Sequence, residues 1–106
     1  MRIAAAALLA VILAAEAPAA SPASHTFTIV VDKMKFGAAP AVLHRGDTIV
    51  WVNRDMFRHS ATAANRSFDV DLPAGKTVRM VVKGSGSIAY LCKYHPGMRG
   101  VLSVKP

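Results

Sequence analysis

Past Ser24 the chain breaks into short runs in which apolar and polar residues alternate, each closed by turn-forming residues, and no stretch keeps a helical period of apolar positions. The alternation predicts strands over His25–Val31, Ala41–Leu43, Thr48–Asn53, Ser67–Leu72, Lys76–Val82, Ser87–Cys92 and Gly100–Val104, with Lys33–Phe36 either strand or loop. Arg45-Gly46-Asp47, Pro73-Ala74-Gly75 and Gly84-Ser85-Gly86 supply turns between them. About seven to eight short strands in so small a chain imply an all-β sandwich, because alternating apolar faces are hidden only when two sheets pack together. In Ser87–Cys92 the two-residue period puts Ile88, Tyr90 and Cys92 on one face, so Cys92 reaches a strand end from the core side.

The first residues follow a different rule. Met1-Arg2 is a short basic start, Ile3–Ala15 is apolar, and small residues recur at Ala17-Pro18-Ala19 and Ser21-Pro22-Ala23. The apolar run falls short of the ~20 residues a membrane span requires. Residues 1–23 therefore read as a secretory signal peptide with cleavage around 19 to 23, leaving 24–106 as one domain. The formal net charge is +7, and losing Arg2 together with Glu16 leaves it unchanged, so the exported domain is drawn to acidic surfaces. With an export signal and no basic run, nucleic acid is not an expected partner. The expectation is a monomer with no membrane span.

Candidate chemistry sits near the C-terminus. Cys92, His95 and Met98 follow one another at three-residue steps on the connection between the last two expected strands, and His59 lies upstream. Cys92 is the only cysteine, so it closes no internal disulfide, and a lone thiol in an oxidising compartment is a liability that a metal bond would remove. A thiolate, two imidazoles and a weak thioether form the trigonal donor set with a long axial methionine that suits a single copper ion cycling between Cu(I) and Cu(II). Pro96 restricts the backbone of His95, and Gly97 is read as giving the chain freedom to bring Met98 back beneath the metal. Ser60, next to His59, is placed to tie its loop to the cysteine loop, the alternative being an ordinary surface serine. His25 and His44 read as exposed, with a secondary metal role as the lesser alternative. Met34, Met56 and Met80 read as core filler, although Met56 with Phe57 is also placed to form an apolar rim around the metal.

These residues resemble the cupredoxins, most closely the amicyanin-like branch with its compact Cys-x2-His-x2-Met loop. Trp51-Val52-Asn53-Arg54 leading to His59 is similar to the family's approach to its first histidine, Gly86–Cys92 to its penultimate strand, and Met98-Arg99-Gly100 to its entry into the last. The resemblance implies a Greek-key sandwich and type 1 copper held by His59, Cys92, His95 and axial Met98. It further implies single-electron shuttling between a periplasmic donor and acceptor. It also implies that the electron leaves along the edge of His95, through an apolar patch of Met56, Phe57 and Pro96 ringed by Arg54, Arg58, Lys93 and Arg99. Arg58, Ser60 and Gly97 depart from residues common in that branch.

One rival is a copper carrier or resistance protein that holds the ion without redox turnover. An enzyme is not expected: a Cys92–His95 nucleophile pair lacks an orienting third group, and multicopper catalysis needs histidines beyond His25 and His44. A c-type haem would need a second cysteine before the histidine.

Overall fold

The computed structural model describes residues 3–12 and 23–106. Residues 3–12 carry no regular secondary structure, and Leu8, Leu9 and Val11 are exposed. Apart from Ala23, the expected cleavage positions lie outside the described residues. Among the described residues no helix is long and apolar enough to cross a membrane.

The chain from Thr26 onward forms nine strands: β1 Thr26–Asp32, β2 Lys35–Phe36, β3 Leu43–His44, β4 Thr48–Asn53, β5 His59–Ala63, β6 Asp69–Leu72, β7 Thr77–Val81, β8 Gly86–Leu91 and β9 Arg99–Lys105. One sheet runs β2-β1-β4-β7 and the other β3-β9-β8-β5-β6. β1 lies parallel to β4 and β3 parallel to β9, while β8 and β9 form a long antiparallel pair from Gly86 opposite Val104 to Leu91 opposite Arg99. Both ends of the Cys92–Met98 connection are thus fixed to the same ladder.

Alternation works as expected in β4, where Ile49, Trp51 and Asn53 are buried while Thr48, Val50 and Val52 are half-buried on the outer face. Trp51 meets Tyr90 from the opposing sheet edge to face, ring centroids 5.4 Å apart, and Phe36 packs on Tyr90 at 4.9 Å in the same manner. Such aromatic pairs add to area burial and join the sheets directly beneath the loop that follows β8. Tyr90 also needs room across the ladder: a Cβ on Gly100, its registered partner, would lie 2.2 Å from the tyrosine ring. Burial pushes the Tyr90 hydroxyl pKa up to about 12.

β5 is a strand that the alternation did not predict, and it carries His59 and Ser60, which were expected on a loop. Its sequence, His-Ser-Ala-Thr-Ala, has no Val, Ile, Phe, Tyr or Trp, and its burial does not alternate because both faces are covered. The methionine expectation also divides. Met80 packs against the core, but Met34 is exposed and Met56 is 89% exposed.

Candidate metal centre

Four strand ends converge on one end of the sandwich: the end of β4, the start of β5, the end of β8 and the start of β9. β8 delivers Cys92, whose side chain is fully buried. The chain then makes two consecutive tight turns, with the His95 amide donating to the Cys92 carbonyl at 3.2 Å and the Met98 amide to the His95 carbonyl at 2.9 Å. The Cys92 amide closes the loop by donating to the Met98 carbonyl at 3.1 Å. Met98 is buried at the foot of this loop. Gly97 is absent from the positive-φ glycines, and a Cβ there would meet nothing within 4 Å. The turn therefore does not need a glycine, contrary to the role expected for it.

β5 brings His59 across to meet this loop. Its Nδ1 lies 3.7 Å from Cys92 Sγ and 3.2 Å from His95 Nδ1, and His95 Nδ1 lies 3.7 Å from the same sulfur. Bonds of about 2.1 Å to nitrogen and about 2.3 Å to sulfur, as in tetrahedral zinc sites, separate such donors by about 3.3 to 3.8 Å, so the triangle has the right size for one shared ion. His59 and Cys92 are buried and His95 is half-buried, leaving His95 as the member of the triangle nearest solvent.

The other nitrogen of His59 explains the ring's orientation. Nε2 is 2.7 Å from Asp55 Oδ2, and because a carboxylate only accepts, Nε2 carries the hydrogen and Nδ1 keeps its lone pair for a metal. Asp55 is itself anchored by the Lys33 amide at 2.7 Å and the Met34 amide at 3.0 Å. Those amides come from the turn between β1 and β2, where Lys33 (φ 51°) and Met34 (φ 61°) both occupy the left-handed region. The conformation costs non-glycine residues of order 1 kcal/mol each and is held here by a hairpin turn whose donors point at the carboxylate. Burial works to raise the Asp55 pKa, but the Met34 amide, the His59 ring and the Lys33 amide together bring it below the ordinary aspartate value. Asn53, fully buried at the end of β4, accepts from the Asp55 amide at 2.9 Å and donates to the Phe57 and Leu72 carbonyls at 2.8 and 2.9 Å. Asn53 and Asp55 were not singled out from sequence; a carboxylate four residues before a candidate histidine ligand is the signal that marks one of them.

Ser60 holds the two halves of the site together. Its amide donates to Cys92 Sγ at 3.4 Å, and its hydroxyl accepts from the Lys93 amide at 2.9 Å. The hydroxyl also bonds Thr62 Oγ1, which donates to Asp69, and Lys93 Nζ reaches the same carboxylate at 3.2 Å. The Thr62 hydroxyl and then Lys93 lower the Asp69 pKa, and Asp69 raises that of Lys93.

Of the expected apolar patch, Phe57 lies beside His95. Met56, Phe57 and Pro96 are exposed, and Phe57 stands edge-on to the His95 ring at 6.4 Å. The basic ring around it is partly neutralised, with Arg58 3.6 Å from Asp71 and Lys93 paired with Asp69, whereas Arg99 keeps its charge and donates its Nε hydrogen to the Pro96 carbonyl at 3.1 Å. Arg54 has no ion-pair partner among the described residues.

A thiolate sulfur and two imidazole nitrogens at these separations, with a buried methionine closing the loop, fit a single copper ion. Solved structures sharing this architecture include a methionine-to-alanine variant of amicyanin in its Cu(I) form (TM-score 0.62, 23% identity, 79% of this chain and 86% of the other). Others are a proline-to-glycine amicyanin variant in the reduced Cu(I) form at pH 4 (TM-score 0.62, 22% identity, 82% and 87%) and a reduced tryptophan-to-tyrosine variant (TM-score 0.60, 23% identity, 74% and 80%). At these identities the likeness establishes the fold. No curated protein sequence matches the chain. The sequence profile of the cupredoxin-like domain does match, over residues 5–104, and with the sandwich and its donor cluster in view the chain belongs to the cupredoxin-like family.

Proposed function

We propose that this chain is a periplasmic type 1 copper protein that passes single electrons between redox partners. The observation that carries the reading is the pre-assembled triangle of His59 Nδ1, Cys92 Sγ and His95 Nδ1, held at 3.2 to 3.7 Å by strands and closed turns. When bound, copper supplies the one-electron couple between its +1 and +2 states. His59, Cys92 and His95 would be its strong donors and the Met98 thioether a weak one. Asp55 fixes the His59 ring and its tautomer, while the Ser60 amide offsets charge on the Cys92 sulfur. Donors locked in this way have little freedom to rearrange between oxidation states, the property a fast shuttle needs.

The half-buried His95 edge, with exposed Phe57 edge-on to it and Pro96 next in sequence, gives a short route to a docked partner. The net charge of +7 favours donors and acceptors with acidic docking faces, and the export pattern at the N-terminus supports a periplasmic location. On this reading the chain carries electrons and catalyses no reaction of its own.

The test is optical and electrochemical. Mature protein titrated with Cu(II) is expected to turn intensely blue through thiolate-to-copper charge transfer and to bleach reversibly with a mild reductant. Cys92→Ser abolishes the colour, whereas Met98→Leu keeps it and raises the reduction potential. A blue Cys92→Ser protein overturns the ligand assignment, and ready metal loss to a chelator without reversible bleaching favours a copper carrier.

A further inference from the structure

The end of the sandwich opposite the copper donors holds a second gathering of metal-ligating groups. Asp47 ends the turn that joins β3 to β4 and is only 2% exposed. Its Oδ1 accepts the His25 amide at 2.9 Å and its Oδ2 the His44 amide at 2.8 Å, which occupies one lone-pair direction on each oxygen and leaves another. Both hydrogen bonds favour the ionised carboxylate. An ionised carboxylate withdrawn from water calls for a cation, yet no lysine or arginine among the described residues lies within ion-pair distance of it. Arg45, on the same turn, directs its guanidinium to the Ser85 hydroxyl at 3.4 Å instead.

What faces the carboxylate is a pair of imidazoles. His25 Nδ1 stands 4.0 Å from Oδ1 and His44 Nδ1 stands 4.0 Å from Oδ2. That is too long for a hydrogen bond and beyond the ~3.4 Å that a tetrahedral ion sets between two donors at about 2.1 Å, so sharing an ion requires both rings to swing inward. The three residues line one cavity of about 420 Å³, which also reaches Ser24 and Pro106. Both imidazoles are more than half exposed, so closing on an ion needs only rotation about their own side-chain bonds.

We propose that His25, His44 and Asp47 form a second metal site, for a borderline divalent cation such as Zn²⁺. Two imidazoles and a carboxylate are a zinc donor set that leaves coordination positions for water. With no thiolate or thioether, this site differs in chemistry from the copper donors, and the length of β4 separates the two by about 20 Å.

The test uses copper-loaded mature protein titrated with Zn²⁺ by calorimetry while the blue absorption is followed. A single equivalent should bind with the colour unchanged, and His44→Ala and His25→Ala should each lose that equivalent while staying blue, which also shows that they fold. Absence of zinc binding overturns the proposal, as does uptake that bleaches the protein, because the ion is then displacing copper. Unchanged binding in His44→Ala overturns it too, because the ion is then held near the N-terminus by His25 without this cluster.

Discussion

Asp55 governs what His59 presents to a metal. Its carboxylate fixes the Nε2 hydrogen, so removing it frees the ring to rotate and to adopt the other tautomer, and withdraws a negative charge from the higher oxidation state. Asp55→Ala is therefore expected to weaken copper binding by about 10- to 100-fold and to raise the reduction potential, as measured by chelator competition and voltammetry. Unchanged affinity would show that the surrounding strands alone hold the ring. At this scale Cys92, His95 and Met98 were readable as candidate donors because their three-residue steps within one loop carry the donor chemistry. Asp55 and Asn53 were not, because their importance comes from contacts with Lys33, Met34 and Leu72, brought near by the fold.

Single elements show where pattern reading succeeds and where it stops. β4 and β8 have one face in the core and one toward solvent, so burial alternates and sequence reveals them. β5 is covered on both sides and made of small or polar residues, so it leaves no periodic trace although it carries a proposed ligand. Glycines in the last segment divide the same way. Gly97 sits in open space, whereas Gly100 makes room for the Tyr90 ring. Gly100→Ala is expected to destabilise the fold by about 2 kcal/mol or more, since the tyrosine must leave its packing against Trp51 and Phe36. Denaturant unfolding measures this, and Gly97→Ala, within about 0.5 kcal/mol of the parent, is the control.

Across the whole molecule, Asp47 ties the start of β1 to the β3–β4 turn at the end distant from the donors. The His25 and His44 amides lower its pKa against the opposing effect of burial. A carboxyl whose folded pKa is depressed contributes stability that is present above its unfolded value of about 3.9 and is lost as pH falls through the folded value. Metal-free Asp47→Asn should thus be less stable than the parent at neutral pH, with the gap narrowing below about pH 4 in denaturant titrations. A gap that stays constant with pH would remove Asp47 from the acid response. The sandwich and the turn at Arg45-Gly46-Asp47 could be foreseen from strand and turn spacing, but a buried aspartate inside that turn looks like any other turn residue until its partners are known.

The Cys92 sulfur is sealed from solvent by the fold itself. Before any metal arrives, a thiol in an oxidising compartment would ordinarily couple with the first disulfide or small oxidant it met. Here such a reagent must wait for the Cys92–Met98 loop to lift, so alkylation of the apo protein by iodoacetamide should run far slower than that of the urea-unfolded chain. Equal rates would mean that the empty loop gives no shelter; slow alkylation would mean that folding alone preserves the nucleophile until it is capped.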